Sequence, residues 1–194
     1  IAWYFEQKGE PFVYRCINRL DRDTTGLIVL AKHALSAAVL SQAMRSREIH
    51  RTYQAFALGE TAASGTIDAP IARLDGSLIQ RTVDFASGER SVTHYRTLAH
   101  CSVFSHLELN LETGRTHQIR VHMQWKGHPL FGDERYGGDR ILKGTTFNKY
   151  KQFIENCFAA MPRQALHAKS LGFQHPTTGE QVYFESELPE DFRT

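Results

Sequence analysis

Residues 19 to 26 read RLDRDTTG, two arginines and two aspartates beside a pair of threonines and a glycine, and the apolar run LIVLA follows at once. A carboxylate at such a border can be a turn residue, a metal ligand or a nucleophile. Farther along, TGRTHQIRVH gathers Arg115, His117, Arg120 and His122 around the start of a helical pattern, where free backbone N–H groups favour anions. Ile119 and Val121 flank Arg120, so its guanidinium is expected to be half-buried and to need a carboxylate or phosphate partner. Asp21 is the expected partner. In RTYQA, Tyr53 sits on a strand beside the basic residues Arg45, Arg47, His50 and Arg51. Such a ring is either core with its hydroxyl at the edge, or a platform on which a base stacks.

Other chemistries fit less well. DRDTTG imitates the Asp-x-Asp-x-Thr signature of aspartyl-phosphate phosphatases, and GDERYGGD imitates an acidic magnesium pair. That chemistry, however, sets its nucleophile at the carboxyl end of an apolar strand, whereas here YRCINRL precedes Asp21 and the apolar run follows. The chain has ten histidines. His117, His122 and His128 are five and six apart, so the i, i+4 pairing of a helical zinc site is missing, and most histidines are read as surface groups or phosphate contacts. No metal and no cofactor is expected. A Gly-x-Ser-x-Gly elbow and a glycine-rich phosphate loop are both lacking.

Composition narrows the partners. The chain of 194 residues, 41% apolar, can bury a core of its own. Its apolar runs are too short to span a bilayer. Three scattered cysteines fit free thiols in a reducing cytoplasm. The net charge of +2 hides an asymmetry: residues before 180 carry +6, while the last fifteen hold five acids and one arginine. A basic body of this kind suits a polyanion such as nucleic acid. Because the chain starts at Ile1 and IAWYFEQKG reads like the end of a helix, residues missing from the N-terminus are expected.

The elements that must position these residues follow from periodicity. Residues 12–18 and 27–31 read as strands with Gly26 at a tight turn. Residues 33–48 change to helical spacing, with Leu35, Ala38 or Val39, and Ala43 marking the apolar face. HRTYQAFALG returns to a strand, and residues 59–90 read as loops and small hairpins. In SVFSHLELNLE, Val103, Leu107, Leu109 and Leu111 alternate with Phe104, His106, Glu108 and Asn110, as a half-buried antiparallel strand requires; SVTHYRTLA is its hairpin partner. THQIRVHMQWKG reads as a helix with Thr116 as N-cap and Gly127 as the stop. KGHPLFGD reads as a turn, and QALHAKSLGFQH and EQVYFES as closing strands. The fold class is α+β, with a mostly antiparallel mixed sheet and a few flanking helices.

Taken in order, RLDRDTTG, RTYQA, TGRTHQIRVH, GHPLFGD and LHAKSLGFQHP resemble the RluA-type pseudouridine synthases, over residues 19–176. The resemblance implies the pseudouridine synthase catalytic fold over residues 1–194, without its N-terminal strand or any N-terminal RNA-binding module. It implies that Asp21 is the catalytic aspartate, with Tyr53 and Arg120 beside it in the site. Arg19 is similar to the residue that enters the helix stack when the target base leaves it. Arg22, Arg115 and His117 join Arg19 as expected RNA contacts. Where the family usually has His before Arg-Leu-Asp, this chain has Asn18. The implied reaction detaches uracil from N1, rotates it and rejoins it through C5, with no redox step. Asp21 would attack the anomeric carbon or the ring, or take the 2′ proton, and the three routes stay open. Arg120 would aim Asp21, and Tyr53 would stack on the uracil and help remove the C5 proton. Ribosomal RNA is the expected substrate, with transfer RNA as the second choice, acted on by a cytoplasmic monomer. A non-catalytic RNA-binding domain is the competing class, against which the intact Asp21, Tyr53 and Arg120 speak.

Overall fold

Residues 104–111 alternate as expected, and that alternation decides where the core lies. In a computed structural model of the chain, which describes residues 1–101, 103–140 and 148–193, β7 (Phe104–Leu111) buries Ser105, Leu107 and Leu109 completely. It pairs antiparallel with β2 (His50–Leu58) on one side and β6 (Val92–His100) on the other. The 92–100 and 104–111 hairpin is as expected. Beyond β6 lies β3 (Ser64–Asp68), so one piece of the expected loop region is a strand of the main sheet. β4 (Ile71–Arg73) and β5 (Arg81–Val83) form a separate small hairpin.

On the far side of β2 runs β8 (Leu166–Gln174), which carries two partners along its other edge. β1 (Thr25–Gly26) pairs parallel with its first half, and β9 (Gln181–Glu185) antiparallel with its second. The order β1-β8-β2-β7-β6-β3 makes a mostly antiparallel mixed sheet, and helices stand on it, which is the α+β class expected. α3 (Gln118–Trp125) lays Ile119 and Met123, one turn apart, on the Tyr53, Ala55, Leu107 and Leu109 face. Burying each such aliphatic side chain is worth about 1.5–3 kcal/mol. α3 stops at Gly127 (φ 88°), where the His128 and Gly127 N–H groups donate to the Met123 and Gln124 carbonyls.

Several expectations need correction. Residues 12–18 and 27–31 are not regular strands. They meet at a bridge between Cys16 and Leu30, with Ile17 N–H donating to Val29 O and Ala31 N–H to Arg15 O. β1 is only two residues long, pairing Thr25 and Gly26 with His167 and Ala168. α2 (Ala34–Arg45) exists, but its buried face is Ala37, Leu40, Ala43 and Met44; Leu35 and Val39 are exposed at 78% and 42%. Four alanines stand among four larger apolar residues there, so the phase of the stripe was ambiguous. Thr116 does not cap α3: His117 does, in a left-handed conformation (φ 58°). KGHPLFGD is more than a turn, since Leu130 bridges to Ala57. α4 (Asn148–Ala160) and the short helices α1 (Ala2–Gln7) and α5 (Glu190–Arg193) complete the chain.

Candidate active site

The loop that carries Asp21 is held from below by the segment leading into β8. Gln164 Nε2 donates to Arg22 O at 2.5 Å and to Thr24 Oγ1 at 3.1 Å, and Arg163 Nη1 donates to Asp23 O at 3.0 Å. Arg163 is itself fixed by two bonds to Asp191, at 2.7 and 2.9 Å. Inside the loop, Thr24 N–H donates to Asp21 O, and Asp23 adopts a positive φ of 69°. It is therefore the backbone of Asp23, more than its carboxylate, that shapes the turn. Gly26 (φ 110°) then crosses β8 so closely that a Cβ would stand 2.2 Å from Ala168 O. Only glycine can pass there. Asn18, at the position the resemblance gives to His, is buried and clamps the far side: its Oδ1 accepts from Val29 N–H at 2.8 Å and its Nδ2 donates to Leu27 O at 3.4 Å.

Into this frame α3 delivers Arg120, which is more deeply buried than the sequence suggested. Its guanidinium forms a two-pronged pair with Asp133, Nε to Oδ2 at 2.7 Å and Nη2 to Oδ1 at 2.8 Å. The expected pairing with Asp21 is present but longer, Nη1 to Oδ2 at 3.5 Å. The primary partner is thus Asp133, 1% exposed in its side chain, which sequence reading missed. Its signal was GHPLFGD, a quoted motif whose acid was read only as part of a turn and of a false magnesium pair. Burial works against the charge of Arg120, and the hydrogen bonds and charge of Asp133 outweigh it, so the group is raised and stays a cation. Tyr136 stacks its ring against that guanidinium at 5.0 Å.

Tyr53 comes from β2 and is 6% exposed. Burial pushes its phenol up; the Arg51 guanidinium beside it opposes this and Asp21 adds to it. Asp21, Tyr53, Arg19, Arg51, Arg115 and His117 line one cavity of about 60 Å³, floored by Leu20, Ile119 and Leu166. Among the residues expected to meet RNA, Arg19 donates through Nη2 to Thr116 Oγ1 at the rim. Arg115 pairs with Glu89 at 2.5 Å and also lines the cavity. Arg22 stands away from the cavity, its side chain 90% exposed and 3.5 Å from Asp23, and lines the adjoining cleft with Arg120 and Asp133.

Three of the ten histidines depart from the surface reading. His117 is buried and shares a 2.7 Å hydrogen bond between Nδ1 and Tyr136 Oη. His122, fully buried, hydrogen-bonds Thr93 Oγ1 through Nδ1 and Ala69 O through Nε2. His167 meets Thr25 Oγ1 at 2.8 Å. Burial is the leading cause that lowers all three below the ordinary histidine value of 6.5. Gln118, unremarked in the sequence, locks the whole TGRTHQ turn: its Oε1 accepts from Thr113 Oγ1 and Arg115 N–H, and its Nε2 donates to Val92 O and Thr93 Oγ1. Its own N–H donates to Arg115 O, which removes one of the free amides expected to hold an anion. Among the described residues no group of three or more His, Cys, Asp or Glu is placed to hold a metal, and no helix is long and apolar enough to cross a membrane.

A carboxylate paired with a buried guanidinium thus lines a cavity together with an aromatic ring and several arginines, an arrangement that suits a nucleophile or base acting on an anionic ligand. The family model for RNA pseudouridylate synthases matches residues 4–125, and the chain belongs to that family. The ribosomal large subunit pseudouridine synthase D of Vibrio cholerae is 44% identical over 178 residues, covering 90% of this chain and 52% of that protein. The uncharacterised RNA pseudouridine synthase YjbO of Bacillus subtilis is 40% identical over 189 residues, covering 97% and 60%. Among solved structures, human RNA pseudouridylate synthase domain containing 4 superposes with a TM-score of 0.76 at 26% identity, over 99% of this chain and 77% of that one. The chain spans about half the length of the curated relatives it matches.

Proposed function

We propose that the protein is an RNA pseudouridine synthase, an isomerase that converts uridine in ribosomal RNA to pseudouridine without a cofactor. The observation that carries this reading is the Asp21 carboxylate held 3.5 Å from Arg120 in the cavity walled by Tyr53. The reaction breaks the N1–C1′ bond and forms a C5–C1′ bond; C5 gives up a proton and N1 gains one, so nothing is oxidised and no group leaves. Asp21 is the nucleophile or base that opens the glycosidic bond. Arg120 holds it in line while Asp133 keeps the guanidinium from folding onto Asp21 entirely. The Tyr53 ring stacks on the freed uracil so that it turns without escaping, and the phenol lies near the C5 proton.

The target base must leave its stack, at a cost of a few kcal/mol. Arg19, exposed at the rim, refills the gap it leaves, Arg115 meets the strand beside the cavity and Arg22 meets it at the adjoining cleft, while His117, buried against Tyr136, lines the wall between them. Ribosomal RNA is supported by the names of the curated relatives, and the basic balance of the first 179 residues fits any RNA. We place the reaction in the cytoplasm and the protein there as a monomer, whose three free cysteines suit that compartment. Incubating bacterial ribosomal RNA with the protein and mapping pseudouridine by carbodiimide adducts tests the reading. One or a few new adduct sites are expected, and RNA left unmodified by the full chain contradicts it.

A further inference from the structure

We propose that Arg51, which no expectation assigned, is a positioning residue that grips the phosphate beside the target uridine. This rests on the reading of the cavity as the uracil site. Among the arginines around the cavity, Arg47 and Arg90 share Glu112, Arg115 has Glu89, and Arg120 has Asp133 and Asp21. Arg51 pairs with no carboxylate among the described residues, and its Nε is buried without a hydrogen-bond partner. The guanidinium also lies in hydrogen-bond contact with the Tyr53 hydroxyl, so it is the Nε alone that is out of water without an acceptor. Such a nitrogen is costly, and it is retained where a ligand completes it.

Its place says which ligand. Arg51 lines the cavity of Asp21 and Tyr53 and also a neighbouring cleft of about 480 Å³, which Arg19, Arg45, Arg47 and Arg115 line with Glu112 as the single acid. It therefore stands where the base site opens into a basic groove. A nucleotide whose base fills the cavity must leave its phosphate at that opening, because the ribose and phosphate cannot follow the base inside. Space has been kept for the fork: a Cβ at Gly114 would lie 3.2 Å from Arg51 Nη1 and 3.4 Å from Nη2. The planar guanidinium matches two oxygens of one phosphate, a match that lysine cannot reproduce.

The test measures binding of a short oligouridylate by the Asp21→Asn protein, in which turnover is removed, against salt concentration. Adding Arg51→Gln should weaken binding roughly tenfold and lower the log–log salt slope by about one. Arg51→Lys should keep the slope while binding less tightly, and Arg96→Gln, whose partner Glu108 lies outside both clefts, should leave the slope unchanged. In the otherwise native enzyme Arg51→Gln should raise KM with kcat held. An unchanged slope and KM with a lower kcat would make Arg51 a neighbour that tunes Tyr53, and would overturn the assignment. Should the native protein bind with the full slope yet modify no RNA, the synthase reading fails while the phosphate grip stands.

Discussion

Arg120 binds Asp133 more closely than Asp21, by two bonds of 2.7 and 2.8 Å against one of 3.5 Å. The division separates two duties that one carboxylate could not perform together. Asp133 neutralises the buried guanidinium, which leaves the lone pairs of Asp21 free for the chemistry proposed for it. Asp133→Ala should therefore cost about 3–5 kcal/mol, since it strands a buried charge. Asp21→Ala should cost far less stability, because Arg120 keeps its main partner. Urea unfolding of the two variants checks the order; equal losses would show that the network does not divide in this way.

Gly26 is the hinge by which the Asp21 loop joins the sheet. Gly26→Ala meets both a positive φ of 110° and the Ala168 carbonyl at 2.2 Å, so the loop must shift. Turnover should fall at least about a hundredfold, since small misplacements of a reacting group are this costly. The same substitution at Gly76, also at positive φ but with open space around it, should leave turnover near the native level. A Gly26→Ala protein with native kcat would remove the loop from the mechanism.

Tyr53 offers a split between the two duties proposed for it. Tyr53→Phe keeps the ring and loses the hydroxyl, so RNA binding should change little while kcat drops roughly 10²–10⁴-fold. Tyr53→Ala loses the stack as well and, from a site 6% exposed, should cost about 3–5 kcal/mol of stability. If Tyr53→Phe turns over like the native enzyme, the hydroxyl has no part in moving the C5 proton.

Acid should unfold the protein through its buried histidines. His117, His122 and His167 are all lowered, burial being the first cause. Below about pH 6.5 the unfolded chain takes up protons that the folded chain refuses, so stability falls as pH falls through the window between the unfolded and folded values. Above that window the contribution is fully present. His122→Gln should flatten the dependence of the urea midpoint between about pH 7 and 5. An unaltered slope would assign the acid sensitivity to other groups.

Much of this architecture was legible because it is periodic or chemically singular. The 104–111 alternation fixed one strand and its hairpin, and the order of RLDRDTTG, RTYQA and QIR carried the resemblance that singled out Asp21, Tyr53 and Arg120. What stayed hidden depends on approach in three dimensions. Asp133 is thirteen residues from Arg120, and nothing in GHPLFGD says that its acid turns inward. Arg51 looked like one of several surface cations until its Nε proved buried. Most histidines do lie at the surface, but His117, His122 and His167 are buried, and His122 escaped notice because a polar residue in an amphipathic pattern looks solvent-facing, whereas it is enclosed by Thr93 and Ala69. In α2 the abundance of alanine left the stripe free to be phased wrongly, and Leu35 was placed inside when it is 78% exposed.

The central claim is that the Asp21 carboxylate opens the glycosidic bond and that C5 then loses its proton. Ribosomal RNA carrying tritium at uridine C5 reports this directly, as tritium released to water. The native full-length protein should release label without added metal and in the presence of a chelator, and Asp21→Asn should release none while still binding the RNA. Release that persists in Asp21→Asn, or a native protein that binds RNA and releases nothing, would contradict the account.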